Sequence, residues 1–189
     1  MISVVVLAAG ASTRFGGIKQ LGPVRGKTLL QHVVDTAAAT GLGEIVIVLG
    51  HEADAIASAL DLPPRARTVL NPRYTEGQST SLGVGLVACD PSSEAAVILL
   101  GDQPGISVEH VRALADAFGE RGGEIVRLRF RDAPGPALLA RSVWPEVAAL
   151  TGDTGARTLA EAQPERVRWI DVDAEAPTDV DHPVDLDDA

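Results

Sequence analysis

The sequence predicts an α/β protein built on a mostly parallel sheet, and three observations carry that prediction. The apolar runs are short, β-branched and non-alternating, as central strands covered on both faces require. They alternate with stretches of helical spacing in the order strand, helix, strand, helix, strand, which implies right-handed crossovers. The first run passes directly into a glycine-rich loop bearing Arg14 and Lys19, at the strand end where open α/β sheets hold their ligands. At 189 residues the chain suits one well-buried core, so a single domain over residues 1–189 is expected.

The elements follow in order. Residues 2–8 read as the first buried strand, and residues 9–21 as a loop whose glycines turn backbone N–H groups toward an anion. Among 16 basic residues the lysines are Lys19 and Lys27, both in this opening stretch. A compact ammonium is suited to a phosphate oxygen. Residues 28–40 place Leu29, Leu30, Val33, Val34 and Ala37 on one helical face, ended by Gly41, with His32 at the rim. Residues 44–49 form a second strand, a helix through Ile56 and Leu60 stops at Pro63, and residues 67–70 form a short third strand. Residues 71–82 are a polar loop opening a helix that runs to about Cys89. The loop is equipped to hold a base or a phosphate, and reads equally as an ordinary capped helix with Ser79 or Ser81 as N-cap.

Residues 95–100 are the fourth buried strand, ending in Gly101-Asp102-Gln103-Pro104. A carboxylate at that strand end, facing a phosphate loop on the neighbouring strand, would coordinate Mg²⁺ and leave positions for phosphate and water; an Asp in a turn is the plainer reading. A helix spans residues 107–118 and ends at Gly119. Residues 124–130 alternate and read as an edge or half-exposed strand, with residues 136–140 a further extended piece. Helices are expected at 144–150 and 156–162 around a turn at 151–155, then a last strand at 167–171. The carboxylate-rich tail reads as disordered, although the spacing around Val180 could tuck Asp181 against the body.

Bulk properties remove several function classes. A net charge of −10 argues against nucleic acid, whose phosphates demand a basic face. The single Cys89 excludes an internal disulfide, and no Cys/His cluster has zinc spacing. The opening lacks the basic region of a signal peptide, and its apolar stretch stops at Gly10, too short for a bilayer, so a cytoplasmic protein without a membrane partner is expected. Two motifs nearly match. Gly22 to Thr28 resembles a P-loop but has three residues between its glycines where four are needed, and Gly83-x-Gly85 lies inside a helix as a packing feature. Neither Cys89 nor any Ser has an evident His partner, so the chemistry rests on charge positioning and metal.

Leu7-Ala8-Ala9-Gly10-x-Ser12-x-Arg14-Phe15-Gly16-x-x-Lys19-x-Leu21 resembles the signature of the MobA-like nucleotidyltransferases, and its Leu-Ala-Ala-Gly version is similar to the molybdenum cofactor cytidylyltransferase branch. Asn71-Pro72 with Gly77-x-Ser79-x-Ser81-Leu82 is similar to that family's base and ribose loop. Gly101-Asp102-Gln103-Pro104 resembles its metal motif, and Asp179-Val180-Asp181-x-Pro183-x-Asp185-Leu186 its C-terminal ending. The resemblance implies a Rossmann-like three-layer sandwich of the nucleotide-diphospho-sugar-transferase type, with one antiparallel strand. Residues 1–105 would form a nucleotide half and 106–189 an acceptor half. It implies a nucleoside triphosphate, CTP, with phosphates and base on Leu7, Ala8, Ala9, Gly10, Arg14, Lys19, Asn71, Ser79, Ser81 and Gly101. Mg²⁺ would lie between Asp102 and Asp181, and Arg14, Lys19 and Asp102 would carry catalysis. CMP would pass to a small phosphorylated acceptor such as molybdopterin, releasing pyrophosphate, with a molybdoenzyme apoprotein as downstream partner. Two positions depart from the pattern: Pro134-Gly135-Pro136 lacks the family's His, and Gly152-Asp153-Thr154-Gly155 lacks its Lys. The alternatives are an NAD(P)H-dependent oxidoreductase on the same scaffold, as in the nicotine blue reductases of this family, or a nucleotide-binding cofactor chaperone.

Overall fold

A computed structural model describes residues 1–12, 15–180 and 182–187. Seven strands form one sheet: β1 (Ile2–Ala8), β4 (Ile45–Leu49), β5 (Ala66–Leu70), β6 (Ala95–Leu100), β7 (Ile125–Arg129), β8 (Pro134–Ala140) and β9 (Val167–Asp171). Their order is β5-β4-β1-β6-β8-β7-β9, and β2 (Pro23–Val24) and β3 (Lys27–Thr28) pair separately. β8 runs antiparallel to both its neighbours while the other pairs of the seven-stranded sheet are parallel. The cause is local: a short turn over residues 130–133 joins β7 to β8, and strands joined so tightly can pair only antiparallel.

Both faces of β1 are covered, which explains its non-alternating sequence. Val4 and Val6 pack with Leu30, Val33 and Val34 of α1 (Leu29–Ala39), Ile56 of α2 (Ala53–Ala59), and Val111 and Leu114 of α4 (Val108–Arg121). Val5 and Leu7 face the other way, onto Leu82 and Leu86 of α3 (Gln78–Ala88), Val147 of α5 (Trp144–Val147) and Leu159 of α6 (Ala156–Ala162). The result is three layers with β1 at the centre. Gly85 lets α3 approach: a Cβ there would lie 2.4 Å from Val5 Cγ1 and 3.1 Å from Val48 Cγ2. Among the described residues no helix is long and apolar enough to cross a membrane.

Several local expectations are corrected. Neither Ser79 nor Ser81 caps α3. Gly77, at φ +112°, is the N-cap, both serines lie inside the helix, and the Asp153 carboxylate accepts from Gln78 N at 3.3 Å in the capping role. α4 runs past Gly119 to Arg121 and ends where Gly122 adopts φ +64°. β7 is not an edge strand, because β8 and β9 flank it and Ile125, Val126, Arg127 and Leu128 are buried. α5 stops at Val147, a single turn. The tail is anchored rather than detached: Val180 is 1 % exposed between Val24 and Leu29, with Phe15 and Leu186 against the same cluster.

Candidate functional site

The site is built from strand ends. The loop after β1 is held by Gln20, whose Nε2 donates to Ala8 O and Gly10 O at 3.0 Å each. Gln20 thereby ties a one-turn 3-10 helix (Lys19–Leu21) under the strand it follows. Ser12 at φ +50° and Gly16 at φ +75° turn the chain, and Phe15 N donates to Ser12 O at 2.9 Å. A cavity of about 490 Å³ opens above this loop, lined by Ala11, Ser12, Gly16, Gly17 and His51. His51 N donates to Ala9 O at 3.1 Å, so the loops after β1 and β4 are stitched together.

At the neighbouring strand end, Gly101 N donates to Leu7 O at 2.9 Å, and a Cβ on Gly101 would press on Ala8, Leu30 and Leu7 O. Glycine at 101 therefore brings the next residue, Asp102, level with the β1 loop. Lys19 Nζ reaches it, 2.8 Å from Asp102 Oδ2, with the two side chains only 10 % and 27 % exposed. Asp102 Oδ1 is buried with no hydrogen-bond partner. A carboxylate oxygen shielded from water and left unpaired is costly unless a cation meets it. The donor chemistry fits a hard cation, and Lys19 shows that positive charge is already accommodated there. Among the described residues no three His, Cys, Asp or Glu side chains cluster as a metal site. Asp181, the other expected ligand, and Arg14, the other expected loop cation, lie outside the described residues. Beside Asp102, Gln103 Nε2 donates to Asp179 Oδ1 at 2.6 Å and Val180 N donates to Asp102 O at 3.1 Å, so the tail crosses the site.

Leu7, Ala8, Ala9, Gly10, Lys19, Gly101 and Asp102 are thus brought together. Of the other expected nucleotide residues, Asn71 directly follows β5, and Ser79 and Ser81 lie in the first turn of α3. Asn71 is fully buried. Its Nδ2 donates to Thr80 Oγ1 and Ser81 Oγ at 2.9 Å each, and its Oδ1 accepts from Arg73 N at 3.0 Å. Asn71 and Ser81 spend their hydrogen bonds shaping the loop, whereas buried Ser79 Oγ has no partner. Lys27 pairs with Asp35 at 2.6 Å on the surface, and His32 Nε2 lies 2.7 Å from Val24 O; both support the β2–β3 hairpin.

A second cavity, about 610 Å³, adjoins Gln103 and Asp179 and runs over β6, β8 and β7 to α6. Both departures from the family pattern lie on or beside it: Pro134, Gly135 and Pro136 form one wall, and Gly155, Ala156 and Arg157 another. The turn before α6 is locked to α3, since a Cβ on Gly77 would lie 2.2 Å from the Gly152 carbonyl carbon and Ser79 N donates to Gly152 O at 3.1 Å. Three participants escaped sequence reasoning: Gln20, Asp153 as a cap, and Arg127, which is 6 % exposed and lines this cavity. A charged residue inside the apolar run 125–128 was the available signal for Arg127; the other two make contacts that no local pattern encodes.

Comparison with known proteins agrees with this geometry. The nicotine blue oxidoreductase of Paenarthrobacter nicotinovorans is 35% identical over 182 residues, covering 91% of this chain and 87% of that protein. The crystal structure of Rv0371c from Mycobacterium tuberculosis H37Rv superposes with a TM-score of 0.89 at 34% identity, covering 99% of this chain and 96% of that one. Rv0371c has also been solved in complex with manganese, with a TM-score of 0.81 at 34% identity over 95% of this chain and 91% of that one. A nucleotidyl transferase from Methanothermobacter, Mth528, gives a TM-score of 0.82 at 25% identity, covering 98% of this chain and 94% of that one. The model of the MobA-like NTP transferase domain matches residues 4–167, from inside β1 to the first residue of β9, and the chain belongs to that family of nucleotidyltransferases.

Proposed function

We propose that the protein transfers CMP from CTP to a small phosphorylated acceptor such as molybdopterin, releasing pyrophosphate, with Mg²⁺ held by Asp102 and Asp181. The reading places the enzyme in the cytoplasm and its product with a molybdoenzyme apoprotein. In it, residues 1–105 form the nucleotide half and 106–189 the acceptor half of one domain. The observation that carries it is the pairing of a loop cation with a strand-end carboxylate: Lys19 on Asp102 Oδ2, with Oδ1 buried and unpaired. A divalent cation bound there would neutralise charge on the departing pyrophosphate.

The remaining work belongs to the chain. In-line attack by an acceptor phosphate on the α-phosphorus needs little covalent chemistry from the protein; it needs positioning and charge stabilisation. The backbone of residues 8–12, held by Gln20, offers N–H groups to the phosphates, and Lys19 and Arg14 supply fixed positive charge. Gln103 and Asp179 stand between the loop and the second cavity, where the acceptor would lie.

Pyrophosphate release from CTP with candidate acceptors, with and without Mg²⁺, tests the reading. Activity that survives Asp102→Ala, or GTP used in preference to CTP, overturns it. The identity to a nicotine blue oxidoreductase favours a second reading, hydride transfer from NAD(P)H on the same phosphate loop. NADPH oxidation with quinone-like dyes in EDTA separates the two, because hydride transfer needs no Mg²⁺. Nucleotide binding without product under either assay points instead to a cofactor chaperone.

A further inference from the structure

The second cavity contains one charge that nucleotide transfer at the phosphate loop does not use. Its floor is a cross-strand row of the sheet in which Ile98 of β6, Ala137 of β8 and Arg127 of β7 stand in register. Leu82 and Leu100 add apolar wall. Arg127 is 6 % exposed, and its Nη2 donates to Gly135 O at 2.9 Å, yet its buried Nε has no partner and, among the described residues, no carboxylate pairs with the guanidinium. The Trp169 ring, 5.5 Å from the guanidinium carbon, gives partial compensation only. Arg157 lines the same cavity and already pairs with Glu161 at 2.7 Å. Burial first, and then the Arg157 charge, pull the Arg127 pKa below its ordinary value.

The carboxylates that line the cavity do not answer this charge: Asp132 accepts from Ala176 N at 2.7 Å and Asp179 from Gln103 at 2.6 Å. Glu161 acts on Arg127 only through space and is itself paired with Arg157. A buried guanidinium with no carboxylate in contact costs stability, and an apolar residue of similar volume would be tolerated at least as well. Such a group is explained when a ligand brings the missing anion, which a planar fork of donors binds in two-point fashion.

We propose that Arg127 is the anion subsite of this cavity, taking a carboxylate or phosphate group of an acceptor whose apolar body lies on Ile98, Leu100 and Ala137. The proposal rests on reading the cavity as the acceptor site. It selects anionic acceptors with a flat apolar portion.

The experiment is a thermal-shift titration of the full chain with phenyl phosphate, benzoate and, as the neutral control, phenol. Both anions, or one of them, raise Tm in the unmutated protein while phenol does not; which anion acts tells phosphate from carboxylate. In Arg127→Met the anion dissociation constant rises about tenfold or more, and the variant melts at or above the unmutated protein. The nitrogen NMR signal of Arg127 Nε in the unmutated chain moves on adding the active anion. An equal anion response in Arg127→Met overturns the proposal. So does a variant that melts far lower or fails to fold, which would make Arg127 structural. No anion response in the unmutated chain overturns it as well. A CTP arm on the unmutated chain separates the two readings: an anion response with no CTP response sinks the nucleotide reading and leaves the Arg127 subsite standing.

Discussion

Gly83 and Gly85 lie two residues apart in α3, and their replacement by Ala is expected to act with opposite signs. A Cβ at Gly85 would sit 2.4 Å from Val5 Cγ1 and 3.1 Å from Val48 Cγ2, against an ordinary contact of 3.4–4 Å, so the helix must give by about an ångström. Val5 and Val48 are fully buried on central strands and cannot retreat. Overpacking of that kind costs about 1–3 kcal/mol, and the helix-propensity gain of about 1 kcal/mol recovers only part. The net loss of up to about 2 kcal/mol lowers Tm by up to about 8 °C in a chain of this size. A Cβ at Gly83 meets nothing within 4 Å, so Gly83→Ala keeps the propensity gain and raises Tm by about 2–4 °C. Scanning calorimetry reads both. Stabilisation by Gly85→Ala, or equal shifts from both variants, would refute the close approach of α3 to β1.

Three further outcomes follow. Lys19→Met removes the cation held 2.8 Å from Asp102, so kcat for pyrophosphate release should fall about 10²–10³-fold with the far-ultraviolet circular dichroism unchanged; a loss under about threefold excludes Lys19 from the phosphate site. Cys89 is 5 % exposed and burial pushes its thiol to about 11, so a disulfide reagent at pH 8 should label the native chain far more slowly than the urea-unfolded one, and equal rates would contradict the packing against α3. Arg166 bridges Glu124 at 2.6 Å and Glu146 at 2.8 Å and holds both carboxyls below the usual Glu range. A lowered folded-state pKa contributes stability above the unfolded value and loses it as pH falls through the folded one, so Tm should drop on acidification between about pH 5 and 3. In Arg166→Gln that acid limb should flatten, and an unaltered slope would show that these exposed pairs contribute nothing.

What could be read from the sequence was what neighbouring residues decide. Val4, Val5 and Val6 announce a strand covered on both faces, and Asp102 follows an apolar run that reads as a buried strand. What could not be read depends on partners far along the chain. The carboxylate capping α3 arrives from 75 residues away, so Ser79 and Ser81 looked like caps although the left-handed Gly77 starts the helix before them.

The misreading of β7 has a different cause and a consequence for function. Apolar residues alternating with Arg127 and Arg129 form the pattern of a strand with one wet face. That inference fails because the short β7–β8 turn slots β8 between β6 and β7 and carries Arg127 inward, opposite Ala137. Burying an arginine on the floor of a cavity breaks the rule that polar residues face water, and Gly135 O and the Trp169 ring repair the breach only in part, leaving Nε unpaired. Natural sequences tend to break local rules where function asks for it. Asp102 Oδ1 and Ser79 Oγ break the same rule within residues 1–105, where the motifs otherwise follow the family pattern. Arg127 breaks it on the cavity walled by Pro134, Gly135 and Pro136, where the chain departs from the family pattern, and on the proposed reading substrate choice is where this chain should differ from its relatives.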